Sequence, residues 1–390
     1  MKATVEDKII DFADDDTAID LLTELVRIPS HSEHESTAVE FLVSRMSQLG
    51  LTAFCDEAGN AVGVVEYPDE RGELSETGVL LGHIDTVPGA ISVRVENGVL
   101  FGRGSVDAKG SLATMVMAVA RASRIPGRRL IVVGAVEEET VTSKGARFIA
   151  QQYRPDWCII GEPSGAEAVT LGYKGRLQLK ARLTQPVAHS AGPQSAVAEY
   201  AVNWWNALKS WGDAFNRERQ LVFEQLQISL NEFNTESDGL EEKAQLRVGL
   251  RLPVRFPVEE FKAFANGELT RVCSEISTPA TIDGLRCDSA GHETEVRGTL
   301  ETYGEEVAHQ EPRTSRIVTR FNQAFRSLGI KPKHKLKTGT SDMNVVSPIW
   351  KCPIVAYGPG DSRFDHTPDE QLPLNEYLSA IRVLTTVLGA

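Results

Sequence analysis

The sequence predicts an α/β fold interrupted by a smaller α+β unit, on three observations. Short apolar runs alternate with helical patterns from residue 16 to about 161. Near residue 172 the texture changes to a strictly alternating strand, and a β-α-β-β-α-β order follows. The helix–strand pattern then resumes at about 312. These shifts divide the chain into a discontinuous first domain, residues 1–173 and 310–390, and an insertion, residues 174–309.

Taken in order, residues 16–28 (DTAIDLLTELVRI) carry apolar residues at helical spacing, with Asp16 as the expected N-cap. A second amphipathic helix covers about 37–49. Val79-Leu80-Leu81 reads as a buried strand ending at Gly82-His83, Ser111–Arg121 as a buried helix, and Arg129–Val136 and 156–161 as further buried strands. In the insertion, residues 176–184 (RLQLKARLT) alternate as a strand with one wet face. A helix at about 195–211, strands near 224–231 and 245–252, a helix at about 257–275 and a strand near 296–303 complete it. Residues 284–296 and 332–344 read as loops.

The composition, 41% hydrophobic and 24% charged, is that of a globular protein. The start of the chain lacks a basic segment leading into an apolar one, and no apolar run reaches the ~20 residues a membrane span needs, so a cytoplasmic location and no membrane partner are expected. A formal charge of −13 opposes binding to nucleic acid or anionic lipid. Five scattered cysteines without a CxxC pair exclude a thiolate metal site, leaving histidine and carboxylates as ligands.

Five clusters put such groups beside Gly or Pro at expected strand ends: Gly82-His83-Ile84-Asp85, Gly102-Arg103-Gly104-Ser105-Val106-Asp107-Ala108-Lys109-Gly110, Glu137-Glu138-Glu139, Gly161-Glu162-Pro163-Ser164 and Asp365-His366-Thr367-Pro368. Two histidines and three to four carboxylates suit a pair of Zn²⁺ ions, with a shared carboxylate holding them roughly 3.5–4 Å apart. A run of glutamates is usually a solvated face, but this one follows RLIVVGAV, a buried-strand pattern. Asp107 could alternatively cap the helix that follows it.

In these motifs the chain closely resembles the acetylornithine deacetylase, succinyl-diaminopimelate desuccinylase and glutamate-carboxypeptidase superfamily, in order and over nearly its whole length. The resemblance implies a zinc-dependent exopeptidase-type catalytic domain with an inserted ferredoxin-like dimerisation or lid domain. It implies two Zn²⁺, with Co²⁺ as a substitute, and a homodimer. Residue by residue, His83 and Glu162 resemble the first-metal ligands, Asp107 the bridging carboxylate, and Glu139 and His366 the second-metal ligands. Asp85 resembles the residue that orients the ligand histidine. Glu138 resembles the general base, although relatives often show Asp-Glu-Glu where this chain has three glutamates, and a one-residue shift to Glu137 stays open. His189 resembles the histidine that reaches a partner subunit's site to stabilise the oxyanion.

A narrower resemblance rests on Gly161-Glu162-Pro163-Ser164-Gly165, Leu171-Gly172-Tyr173-Lys174-Gly175-Arg176, Lys337-Thr338-Gly339-Thr340-Ser341-Asp342-Met343-Asn344 and Tyr357-Gly358-Pro359-Gly360. These look like the hydrolases that release lysine, and in some organisms ornithine, from the terminal glutamate of an acidic LysW-type amino-group carrier protein. It implies Lys174, Arg176, Gly339, Thr340 and Ser341 as substrate-binding residues. Lys331, Lys333, Lys335 and Lys337 form a basic patch that could meet an acidic partner despite the net charge. Asp342 or a glutamate could receive the lysine ammonium. An N-acetyl-lysine or N-acetylornithine deacetylase, or a dipeptidase, is the alternative within the class.

Overall fold

The computed structural model describes residues 13–187, 195–274 and 296–390. It divides into two compact units, Met1–Tyr173 with His309–Ala390, and Lys174–Ala308. The first unit opens with α1 (Asp15–Arg27), α2 (Ser36–Gln48), β1 (Thr52–Cys55), β2 (Ala61–Tyr67), β3 (Glu76–His83), β4 (Arg94–Glu96) and β5 (Val99–Phe101). It continues through α3 (Lys109–Arg121), β6 (Arg128–Ala135), α4 (Lys144–Gln152), β7 (Trp157–Gly161) and β8 (Ala168–Tyr173). The second unit holds β9 (Gly175–Pro186), α5 (Val197–Asn216), β10 (Gln227–Ser237), β11 (Glu241–Leu252), α6 (Val258–Ser274) and β12 (Arg297–Glu306). The chain returns with β13 (His309–Gln310), α7 (Arg316–Ser327), β14 (Lys333–Lys337), α8 (Asp342–Trp350), β15 (Ile354–Ala356), β16 (Gln371–Pro373) and α9 (Leu374–Leu388).

The main sheet is ordered β1-β2-β6-β3-β7-β15-β8-β13, with β14 also paired to β8. At its centre β6, β3, β7 and β15 run parallel. These strands are apolar at nearly every position because both faces are covered. Leu80, Val132 and Ile159 enter the core shared with α1, α3 and α9. Val79, Leu81, Ile131 and Ile160 enter the opposite core with α4 and α8. Parallel strands end on one edge, so the segments after β3, β6 and β7 emerge side by side, the usual position of a site in an open α/β sheet. Gly82 and Gly161 face each other across β3 and β7 at that edge, and a Cβ on Gly161 would lie 2.9 Å from the Gly82 Cα.

The second unit is an antiparallel sheet ordered β10-β11-β9-β12, built from the expected β-α-β-β-α-β sequence. Along β9 the residues Leu177, Leu179, Ala181 and Leu183 are buried. They pack with Trp204 and Leu208 of α5 and Phe261 and Leu269 of α6. The Trp204 indole donates to the Ala265 carbonyl at 2.9 Å and ties the two helices together.

Two local expectations are corrected. Residues 332–344 are not a loop: Lys333–Lys337 forms β14, parallel to β8, and α8 begins at Asp342. Alternating lysines on a strand at the rim of the sheet carry no apolar signal, which hid it. The N-cap of α1 is Asp14 rather than Asp16, its carboxylate accepting from the Thr17 amide at 2.7 Å.

Candidate metal centre

His83 closes β3 and is almost fully buried. Its Nδ1 lies 3.0 Å from the Asp85 carbonyl oxygen and 3.5 Å from the Asp85 Oδ1. With Nδ1 held there, Nε2 points to Asp107 Oδ1 at 3.3 Å. The Asp85 carboxylate, fully buried, mainly organises the acidic loop after β6. It accepts from the Glu138 and Glu139 amides at 3.0 Å each and from the Ser32 hydroxyl at 2.8 Å.

Asp107 sits in the glycine-rich turn before α3. Gly104 turns that loop with φ +83°, where a Cβ would meet Thr86 at 2.8 Å. The helix N-cap is Ala108, without a side-chain cap bond, so the Asp107 carboxylate does not cap the helix. Instead it lies between two imidazoles, with Oδ2 at 3.0 Å from His366 Nε2. His366 also lies 3.0 Å from Glu139 Oε1. Its backbone is left-handed, φ 61°, an arrangement that costs of order 1–3 kcal/mol and is concentrated at functional sites.

The three glutamates after β6 separate clearly. Glu137, also left-handed at φ 59°, turns to accept from the Thr142 hydroxyl at 2.7 Å and faces Lys144 at 3.5 Å. Glu138 and Glu139 instead join His83 in one donor group. Burial pushes the Glu138 carboxyl well above the usual carboxylate range; the charges of Asp342, Glu162 and Glu139 add to the rise and His83 opposes it. Burial together with the Asp107 charge raises Glu162 to about 8 and Asp365 to about 7, with Lys337 opposing both. Burial also acts on Asp107, but the hydrogen bonds of His366 and His83 outweigh it and hold that carboxyl far below the usual range. The bonds to Asp107 and Glu139 raise His366 to about 10.

Among the described residues, three donor groups could hold a metal ion, each with its ligand atoms within 4.8 Å of one another: His83, Glu138 and Glu139; His83, Asp107 and Glu162; and Asp107, Glu139 and His366. The last two share Asp107, so the donors fit two divalent cations joined by one carboxylate. Imidazole and carboxylate are the ligand set that zinc accepts without thiolate. Carboxylates outnumber imidazoles here, and divalent cations would neutralise the excess.

The other expected site residues lie elsewhere or are otherwise engaged. His189 falls outside the described residues. Lys174 is fully buried, its Nζ donating to the Gln225 carbonyl at 2.5 Å, and Arg176 donates to the Gly304 carbonyl at 3.0 Å, both within the second unit. Ser341 caps α8, in a reciprocal pair with Asn344. Gly339 and Thr340 lie in the turn leading to it, between two residues that act on the donor groups through their charge: Lys337 on Glu162 and Asp342 on Glu138. Sequence reading missed Ser32 and Glu370 as parts of this region. Ser32 gave no signal at all, and Glu370, four residues after His366, gave only its charge.

A mixed sheet whose parallel strand ends gather imidazoles and carboxylates defines a metallohydrolase-type chain. It matches Peptidase family M20/M25/M40 over residues 79–390 and belongs to that family. It is 41% identical over 383 residues to a LysW-lysine hydrolase of Deinococcus radiodurans, covering 96% of this chain and 97% of that one. It is 25% identical over 367 residues to a LysW-lysine/LysW-ornithine hydrolase of Saccharolobus islandicus, covering 94% and 93%. Among solved structures, aminopeptidase PepT from Bacillus cereus superposes with a TM-score of 0.75 at 16% identity, over 96% of this chain and 98% of that one. The metallo-carboxypeptidase Sso-CP2 from Sulfolobus solfataricus gives 0.71 at 15% identity, over 95% and 98%. These two share the fold. No helix among the described residues is long and apolar enough to cross a membrane.

Proposed function

We propose that this chain is a dinuclear-metal amidohydrolase that releases lysine from the terminal glutamate of a LysW-type amino-group carrier protein. Ornithine is the second amino acid it would release, which places it in lysine and arginine biosynthesis. The observation that carries the reading is the set of overlapping donor groups formed by His83, Asp107, Glu139, Glu162 and His366, with Glu138 beside His83 and Glu139. Identity of 41% with a LysW-lysine hydrolase, along nearly the whole of both chains, supports the substrate.

His83, Asp107 and Glu162 would hold one ion, and Asp107, Glu139 and His366 the other, with zinc as the metal the ligand set favours and Co²⁺ as a substitute. When bound, the ions polarise the amide carbonyl and make a neighbouring water more acidic. Glu138, in a buried acidic setting that raises its proton affinity, acts as the general base. It takes a proton from water as the water oxygen bonds to the amide carbon. It returns that proton to the departing amine nitrogen as the carbon–nitrogen bond breaks, so atoms and charge balance. The second unit would serve dimerisation, with the partner subunit's His189 donating to the developing oxyanion. The homodimer works in the cytoplasm on this reading.

The test is a product assay. The zinc-loaded enzyme is given lysine-loaded carrier, ornithine-loaded carrier, N-acetyl-lysine and a lysine-containing dipeptide, and free amino acid is measured. Release mainly from the carrier supports the proposal; comparable or faster release from the acetyl compounds or the dipeptide makes the chain a general deacylase or dipeptidase instead.

A further inference from the structure

Glu370 immediately precedes β16, which pairs with β5 ahead of the Asp107 loop, and its side chain is fully buried. Its Oε1 accepts from the Val106 amide at 2.9 Å and from the amide of Asp107 itself at 3.1 Å. Its Oε2 is 2.7 Å from Arg103 Nη1. The same Arg103 nitrogen donates to the Thr367 carbonyl at 3.2 Å, one residue beyond His366, and Nε donates to the Gly89 carbonyl at 3.1 Å. The Glu370 carbonyl accepts from Gly102 at 3.3 Å, and Gln371 pairs with Phe101, so main chain and side chains join the same two segments.

A buried ion pair is a weak route to stability, because losing hydration costs several kcal/mol per ion and a packed apolar pair serves as well. What a carboxylate provides here, and an apolar side chain could not, is direct bonding to the Asp107 amide. Asp107 must place its two oxygens 3.3 Å from His83 and 3.0 Å from His366, on opposite sides of one carboxylate. That placement depends on where its backbone sits relative to the His366 segment, and these are the two segments the Arg103–Glu370 pair joins. Sharing an anion of fixed position between two backbone amides is also a tighter constraint than either contact alone.

We infer that Glu370 and Arg103 are positioning residues that set the spacing between Asp107 and His366, and thereby the affinity of the His366-side metal position. The inference rests on reading Asp107 and His366 as metal ligands. Arg103 contacts the His366 segment directly and Glu370 holds Asp107, so the pair reaches the His366 group through two of its members, whereas it reaches the His83 and Glu162 group only through the shared Asp107. A disturbance of the pair therefore falls mainly on the group formed by Asp107, Glu139 and His366.

The experiment strips the full-length chain with a chelator and titrates it with Co²⁺ against a chromophoric competitor, reading stepwise affinities and the Co²⁺ absorption of each equivalent. Wild type, Glu370→Gln and Arg103→Lys are compared. In Glu370→Gln an amide N–H faces the Arg103 guanidinium, and in Arg103→Lys one ammonium replaces a fork that reached three acceptors. In both, one equivalent is expected to bind about 10- to 100-fold more weakly and the other to stay within about threefold, as for partners behind metal ligands elsewhere. At limiting metal, kcat falls and KM holds. If Glu370→Gln does not fold, Arg103→Lys decides on the same criterion. Two unchanged equivalents, or a parallel loss of both that follows melting temperature, would overturn the positioning role. A wild type that binds fewer than two equivalents would overturn the metal reading itself, and the positioning role with it.

Discussion

At the scale of single residues, the three consecutive glutamates differ in what their backbones allow. Adjacent residues of equal charge, beyond the last buried strand position at Ala135, leave the sequence no periodicity from which to assign a role. In the structure the left-handed turn at Glu137 sends that side chain to Thr142 and Lys144, while Glu138 enters the donor group. Glu137→Gln keeps a hydrogen-bonding side chain at that turn, so we expect turnover within a few-fold of wild type and a small drop in melting temperature. A loss comparable to that of removing the base would return the role to Glu137. Other residues were out of reach of sequence reading for a different reason. Ser32 and Glu370 act through hydrogen bonds to groups 53 and 264 residues away or nearly so, distances at which a lone sequence carries no pairing information.

At the scale of elements, legibility followed burial. The central strands β3, β6 and β7 are apolar on both faces, and their C-terminal ends were placed to within a residue from sequence, although β3 starts three residues earlier than its apolar run. The close approach of Gly82 and Gly161 explains why glycine precedes both His83 and Glu162. Gly161→Ala would force a methyl group against the Gly82 Cα and Met115, and overpacking of this kind costs about 1–3 kcal/mol. Urea denaturation should show that loss, and metal affinity should fall with it, since both flanking residues are donors. An unchanged midpoint would mean the strands separate freely at this edge. Strand β14 was illegible because its lysines answer to charge rather than to a core. Lys333 pairs with Glu167 at 2.6 Å on the surface, an arrangement worth about 0–1 kcal/mol, and part of the basic patch is thereby neutralised within the chain. Lys335 is exposed on β14, and partial desolvation together with the Lys337 charge lowers its pKa; Lys337 lies 5.7 Å from the Tyr173 ring. Replacing Lys335 and Lys337 with methionine is expected to raise KM for carrier-linked lysine more than for N-acetyl-lysine, while Lys333→Met changes little. Equal effects on both substrates would remove the patch from carrier recognition.

At the scale of the whole molecule, the change of texture near residue 172 marked the passage between units because a half-wet alternating strand differs from a doubly buried one. The formal charge of −13 was equally legible, and it makes local features rather than the net field responsible for meeting an acidic partner. The donor groups draw together residues from position 83 to position 366, so metal bound there would act on the fold of the first unit as a whole. Zinc at a thousandfold excess over its dissociation constant should stabilise that unit by about 4 kcal/mol, seen as a rise in melting temperature that a chelator reverses. A melting temperature indifferent to chelator would mean that the donor groups do not hold metal.

In the proposed mechanism Glu138 is the base beside a pair of metal ions. Its most direct test is lysine release from the carrier-linked substrate by wild type and Glu138→Gln, with bound metal measured in the same samples. The variant is expected to keep two equivalents of metal and to lose about 10²- to 10⁴-fold in kcat, the range for removal of a general base. Retained turnover with both ions bound would contradict that mechanism.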